Sequence, residues 1–464
     1  MVGAKGGSPE LKHFTGELLW PDHPAYNEAR ASYNSRWTPR PALIARCRNN
    51  SDTVAALRWA REKGLEIAIR SAGITYGPFS ISDGVIIDTA LMRNVRVDPV
   101  TKVARLSGGS TTGDVQAEAA LFGLAAPSGL HAHLGMGTLL GGGTGHIRNR
   151  VGWAALNILS ATLADGRLVE ASINQNPDLL WGARGAAYNF GVVTSLEMRL
   201  YDVSRRITMG TMTWREPRLE LVLRAVRDLS ARASRNLAIA FINVDNYATP
   251  FMGTAASAVE AGVPIAQLLY THSGTPDQAE VELGWLRRAC TPDGEALGPT
   301  DFLDAHYWMN VPSARKGMDT YAHTELTDAV IDLLCAQGRK MGIPGTRRFI
   351  ELIDQRGALA EAPSIRGAFR QLPGSAWSIR PQVTYRDPTE DALHDAWMDD
   401  FVEALRKTEV GAEDVVLANV VSRPVSNARV RACFRDAYDR LAMLKAEWDP
   451  ENVFHKNFNI RPYR

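Results

Sequence analysis

Polar and apolar positions alternate in short runs through roughly the first 200 residues, and longer runs of helical spacing dominate after that. Leu65, Ile67 and Ile69 alternate as in a half-buried strand, which ends in the turn Arg70-Ser71-Ala72-Gly73-Ile74-Thr75-Tyr76-Gly77. Residues 42–45 and 85–88 read as further strands, and 95–97 and 103–106 as a β pair around Asp98-Pro99. Between them, Ser51 is the expected N-cap of a helix with Val54, Leu57 and Trp59 on its apolar side and Gly64 at its end. A second helix is expected over 114–121, closed by Gly123. Residues 157–164 and 168–171 flank the hairpin signal Asp165-Gly166, Pro177 opens a short helix through Trp181, and 191–198 reads as a strand. From about 206 the strands 237–244, 266–271, 348–353 and 378–385 alternate with amphipathic helices over 276–290, 325–341 and 391–408. That alternation points to a sheet covered by helices on one side, an α+β arrangement. A single helix is expected over 429–448.

Two stretches are unusually poor in side chains. The turn at 71–73 lets successive backbone N–H groups close round an anion, although an ordinary strand-to-turn link has the same pattern. Residues 135–145 hold six glycines, at 135, 137, 141, 142, 143 and 145. Such density is costly in backbone entropy and implies close approach to a flat or phosphorylated ligand, or backbone crossing on backbone. The usual nucleotide signatures fail: His146 stands where a Gly-x-Gly-x-x-Gly fingerprint needs its third glycine, and Gly-Lys-Ser/Thr and Gly-x-Ser-x-Gly are both missing.

Composition narrows the function classes. A chain of 464 residues favours two domains. With 52 basic and 51 acidic residues and no basic block, nucleic acid is not an expected partner. The four cysteines (Cys47, Cys290, Cys335, Cys433) are widely spaced, so free thiols are expected rather than a zinc cage or redox pair. No metal site is expected. Residues 1–16 are polar, and no apolar run has membrane length, so a cytoplasmic protein that contacts no membrane is expected. Arg380, Gln382 and Thr384 alternate along one strand and share a face, with Tyr385 pointing the other way; either a pocket wall or a solvated face fits. Glu351 and Asp354 lie on or near another strand. His306, Tyr307 and Trp308 cluster after 301–304, and one or two of them can face a cavity.

Taken together, the motifs resemble the berberine-bridge-enzyme-like branch of the FAD-linked oxidases, with a vanillyl-alcohol-oxidase-type flavin domain. Residues 70–76 are similar to that family's Arg-Ser-Gly-Gly-His-Ser-Tyr, and Leu140-Gly141-Gly142-Gly143-Thr144-Gly145 to its Leu-Gly-Gly-Gly-x-Gly. Residues 177–185, 189–194 and 449–454, with Asn457 and Asn459-Ile460, match further motifs in the right order. The resemblance implies a two-domain fold: a discontinuous FAD domain (1–205 plus 416–464) and a substrate domain (206–415) on a helix-covered antiparallel sheet. Arg70, Ser71, Ala72, Gly73, Ile74, Thr75 and Tyr76 would wrap the FAD pyrophosphate. Gly135, Gly137, Thr138, Gly141, Gly142, Gly143, Gly145 and His146 would pass under the isoalloxazine and ribityl chain, and Val192 and Val193 would line the adenine end. Asn457 and Asn459 belong to the returning tail.

Departures from the family pattern are as informative. Ile74 stands where the family often anchors FAD through His, and Leu130, beside His131 and His133, where some members use Cys. FAD is therefore expected to be held non-covalently. The family's Tyr-x-Asn reads Leu417-Ala418-Asn419, and its Asn-Gln-Asn reads Asn457-Phe458-Asn459. The implied activity is oxidation of a small specialised metabolite by hydride transfer to flavin N5, with oxygen as acceptor and cyclisation as a further option. Redox-neutral cyclisation, or simple binding of a small molecule, is the alternative on the same fold. Tyr307, with Arg380 as its neighbour, is the expected base, and His306 and Gln382 complete the candidate catalytic set.

Overall fold

The computed structural model describes residues 11, 13–153, 156–215, 218–245, 264–307, 313–338, 346–361, 367–368, 376–408 and 420–464. Three larger sheets organise it, with a two-stranded pair, Tyr201–Asp202 on Leu124–Ala125, beside them. The first joins Glu17–Leu19, Leu43–Arg46, Val85–Asp88 and Ile67–Arg70 in that spatial order, its last three strands parallel. Parallel neighbours need a crossover, and the helix Asn50–Glu62 supplies it between Leu43–Arg46 and Ile67–Arg70. The second sheet is antiparallel, in the order Val95–Asp98, Val103–Ser107, Val192–Arg199, Leu156–Thr162, Leu168–Ala171. The expected hairpin around Asp165-Gly166 is present, with Gly166 at φ +81°.

The third sheet has eight strands and every pairing in it is antiparallel. Its order runs Gly294–Asp301, Arg206–Arg215, Pro264–His272, Leu237–Asp245, Arg347–Asp354, Trp377–Tyr385, Arg315–Met318, with Tyr321–His323 also pairing Trp377–Tyr385. Alternation assigns its faces. Ile239, Phe241, Leu268, Leu352, Ile379 and Val383 pack under the helices Leu219–Arg232, Pro276–Ala289, Asp328–Gly338 and Asp391–Arg406. Their neighbours Ala240, Ile242, Leu269 and Phe349 face away from those helices, toward a cluster that includes Ala125 and Ile147 from the N-terminal half. The fold is α+β with one helix-covered antiparallel sheet, as expected.

Two local features differ from the expected pattern. The N-cap of Asn50–Glu62 is Asn49, whose side chain accepts from the Asp52 N–H; Ser51 lies inside the helix and donates to Asn49 Oδ1 at 2.6 Å. The expected helix over 429–448 is two helices, Asn427–Phe434 and Tyr438–Trp448, broken where Arg435 takes φ +48°. The second of these packs on Pro177–Ala186. Fully buried Lys445 pins the chain after it, donating to Asp449 Oδ2 (2.7 Å), Asn189 O (2.6 Å) and Phe454 O (2.9 Å). The 415/416 boundary, Trp308 and Leu417-Ala418-Asn419 lie outside the described residues. None of the four cysteines is in a disulfide, and all four are buried. Among the described residues no helix is long and apolar enough to cross a membrane, and no cluster of metal-ligating side chains occurs.

Candidate active site

Both glycine-rich stretches line one cavity of about 350 Å³. The first stretch enters it because Arg70 is held underneath. Its buried guanidinium donates to Asp88 Oδ2 (2.7 Å) and to Ala29 O (2.6 Å), and the next residues must turn away from the sheet. Ser71, Ala72, Gly73, Ile74, Thr75 and Tyr76 all line the cavity, whereas Arg70 does not. Gly73 sits at φ +75°, where a Cβ would strain the turn. Among the described residues, the N–H groups of Ala72, Gly73 and Ile74 donate to no protein acceptor. Three neighbouring free donors on a cavity wall form an anion cradle.

Residues 135–143 pass close against this turn. A Cβ on Gly135 would lie 2.8 Å from Ala72 N, 2.8 Å from Ser71 Oγ and 3.0 Å from Ala72 Cβ. Gly135, Gly137, Thr138, Gly141, Gly142 and Gly143 line the cavity, and Gly142 takes φ +102°. Leu130 and Ile74 line it too, and neither carries a nucleophile. Four polar atoms of lining residues are buried without a hydrogen-bond partner: His131 Nδ1, Tyr188 OH, Ser80 Oγ and Asn457 Oδ1. Free N–H groups beside unsatisfied buried polar atoms fit a large ligand with phosphates and polar ring edges, as FAD has.

The uncovered face of the third sheet makes the other polar wall. Arg380, Gln382 and Thr384 share it with Glu351, Phe349, Lys316 and Met318, so their alternation marks a pocket and not a solvated face. Tyr385 points the other way, as expected, and donates to Asp391 Oδ1 at 2.8 Å. Glu351 Oε2 accepts from Gln382 Nε2 (2.9 Å) and Arg380 Nη1 (3.3 Å), while Arg380 Nε donates to Ser378 Oγ (3.0 Å). Asn34 binds the two walls together: its Nδ2 donates to Tyr76 O (2.6 Å) and Lys316 O (2.8 Å), and its Oδ1 accepts from the Lys316 N–H (2.9 Å). Next to it, Tyr33 meets Tyr76 edge-on, with ring centroids 5.7 Å apart. Burial pushes the Tyr33 phenol up to about 12 and Tyr76 well above its ordinary value. Burial, then Arg347, pulls Lys316 down to about 8.

Several expected site residues lie elsewhere. Tyr307 is 53% exposed, with its ring edge-on to His133 at 6.1 Å, and it does not line the cavity that holds Arg380. The short turn Asp304–His306 sends Tyr307 outward, which removes it as the base. His306 is buried in the same turn with Nδ1 near Phe302 O (3.0 Å), and it packs 4.7 Å from His146. His146 bridges Thr271 Oγ1 (3.0 Å) and Leu130 O (3.2 Å) behind the wall instead of lining it. Burial lowers His131 and His306 to about 4 and holds His146 well below its ordinary value. Gly145 packs on Gly129 O and is not exposed to the cavity. Val192 and Val193 are buried in two separate core clusters, and neither touches the cavity. Asn457 lines the cavity and Asn459 does not. Tyr33, Lys316 and Tyr188 escaped sequence reading, because each comes to the site through long-range pairing that local periodicity does not encode.

Residues 41–172 match the family described as FAD binding domain, and residues 385–461 the family described as berberine and berberine like. A curated relative, (R)-6-hydroxynicotine oxidase of Paenarthrobacter nicotinovorans, is 29% identical over 96% of this chain and 97% of its own. An uncharacterized FAD-linked oxidoreductase of Bacillus subtilis, YgaK, is 26% identical over 98% of this chain and 99% of its own. Among solved structures, 6-hydroxy-D-nicotine oxidase from Arthrobacter nicotinovorans superimposes with a TM-score of 0.85 at 24% identity, covering 99% and 100% of the two chains. A chitooligosaccharide oxidase superimposes with a TM-score of 0.84 at 17% identity, covering 98% and 99%. These two structures share the fold.

Proposed function

We propose that this chain, an FAD-linked oxidoreductase of the berberine-bridge-like kind, holds FAD non-covalently and oxidises a small specialised metabolite. The observation that carries the reading is the single cavity that brings the free N–H groups of Ala72, Gly73 and Ile74 to the sheet face bearing Glu351, Arg380 and Gln382. Non-covalent attachment is supported by Ile74 and Leu130, since neither side chain can bond to a flavin.

FAD, when bound, would supply a two-electron acceptor for hydride, with oxygen as the terminal oxidant and hydrogen peroxide as its product. The chain's residues do the rest. The N–H groups of 72–74 would hold the pyrophosphate, and the small residues of 135–143 would leave room for the ring system. Glu351 accepts the proton from a substrate O–H or N–H as the neighbouring C–H bond breaks and a C=O or C=N bond forms. Arg380 and Gln382 donate to Glu351 Oε2, which fixes the direction in which the carboxylate points. Tyr33 and Tyr76 stay protonated and serve as donors only.

The test is oxygen uptake by flavin-loaded protein against a panel of alcohols, secondary amines, sugars and (R)-6-hydroxynicotine. Peroxide should form in equal amount to product, and E351Q should cut turnover by at least about a hundredfold with flavin retained. Turnover without oxygen uptake or flavin reduction would instead mean redox-neutral cyclisation, and E351Q with full activity would remove Glu351 as the base.

A further inference from the structure

Lys316 stands on the edge of the cavity's polar wall. Its strand, Arg315–Met318, pairs antiparallel with Trp377–Tyr385 so that Lys316 faces Thr384 and Met318 faces Gln382. Thr384 in turn faces Arg347 on its other side. The neighbouring cation on the strand, Arg315, points to the far side and is neutralised by Asp391. Lys316 points into the cavity, is 2% exposed, and has its ammonium 4.8 Å from the centroid of the Tyr33 ring. It forms no ion pair with any described residue.

Among the described residues, the anion on this wall is already engaged. Glu351 shares the wall but is held by Arg380 and Gln382. Lys456, another lining cation, is paired with Glu66 at 3.3 Å. The sheet wall therefore carries Lys316 and Arg380 against one carboxylate, a surplus of one positive charge. A buried ammonium with a π face below it and no counter-ion is costly unless a ligand brings the missing charge.

We propose that Lys316 is an anion subsite, and that the substrate is an acidic small molecule whose carboxylate or phenolate oxygen seats on its ammonium. This rests on the oxidase reading and narrows its substrate class. The acid group docks at Lys316, which leaves the oxidisable end of the molecule toward Glu351 on the same wall. Protonated amines are disfavoured at this end of the cavity by the same charge.

The groups facing Lys316 keep its titration simple. Tyr33 and Tyr76 stay neutral through the useful range, Arg347 is lowered only to about 10, and Arg380 and Glu351 are occupied with each other. With Lys316 near 8, anion binding holds below that pH and weakens above it, by about tenfold between pH 7 and pH 9.

The experiment titrates purified flavin-loaded protein with benzoate, benzyl alcohol and benzylamine, by flavin absorbance and calorimetry. Benzoate should bind at least about tenfold tighter than benzylamine, with the pH dependence just given. K316M should weaken benzoate at least about tenfold and abolish the pH dependence, K316R should restore binding, and neither should change benzyl alcohol binding or flavin content. K316M that binds benzoate normally, or wild type that does not bind it, overturns the proposal. K316M that purifies without flavin also overturns it, because the cation then serves the phosphates of FAD. Flavin content separates the two levels: wild type that never takes up FAD fails the oxidase reading, and calorimetry with benzoate on that protein still decides the subsite.

Discussion

Replacing Gly135 tests whether the two glycine-rich stretches form one cradle. In G135A the new methyl would meet Ala72 N and Ser71 Oγ at 2.8 Å, closer than real Cβ contacts come, and Ala72 Cβ at 3.0 Å, tighter than most. Two of these three atoms cannot swing aside, so the turn at 71–73 and the stretch at 135–143 must separate. Overpacking of this kind costs about 1–3 kcal/mol. If the whole strain falls on the bound state, FAD affinity drops about 5- to 150-fold. Two further variants separate the causes. A Cβ at Gly137 meets nothing within 4 Å in the protein yet enters the cavity, so G137A should weaken FAD without lowering the melting temperature of the flavin-free protein. A Cβ at Gly298, on the strand Gly294–Asp301, also meets nothing and does not line the cavity, so G298A should change neither quantity. Affinity is read by quenching of FAD fluorescence on titration, and stability by thermal melting. G135A with wild-type affinity would refute the cradle, and G298A with reduced affinity would refute the specificity of the effect.

Other consequences follow from single residues. I74H should restore the family's histidine at the cavity wall, so that part of the flavin stays with the acid-precipitated protein; fully soluble flavin would mean that position 74 does not reach the ring. K445M leaves the Asp449 carboxylate, Asn189 O and Phe454 O buried without their donor, and should cost about 3–5 kcal/mol in urea unfolding, whereas a loss below 1 kcal/mol would contradict the pinned C-terminal turn. His131 and His306 have folded-state values near 4, below the ordinary 6.5, so the unfolded chain binds more protons between those limits. Stability should therefore fall as pH drops from about 6.5 to 4, and H306Q should flatten that slope in melting curves.

The sequence carried those parts of the fold that depend on neighbours along the chain. The apolar run of Val85–Asp88 marked one strand, alternation marked the Val95–Asp98 and Val103–Ser107 pair, and glycine density marked the cavity wall at 135–143. The alternation of Arg380, Gln382 and Thr384 left two options open, and only pairing with Arg347–Asp354 and Arg315–Met318 decided for a pocket. Asn49 displaced Ser51 as cap because two good acceptors lay two residues apart, and local pattern does not rank them. Tyr307 was a plausible base by residue type, but the direction of a short turn set its exposure. Lys316 and Tyr33 meet across nearly three hundred residues of chain, through contacts that no window of sequence contains.

The most direct test is to purify the protein from flavin-rich cells, record its visible spectrum, and precipitate it with acid. A bound-flavin spectrum whose colour passes entirely to the supernatant as FAD is the predicted result. Colour kept in the pellet would contradict non-covalent attachment, and a colourless protein that takes up no added FAD would contradict the assignment of the cavity itself.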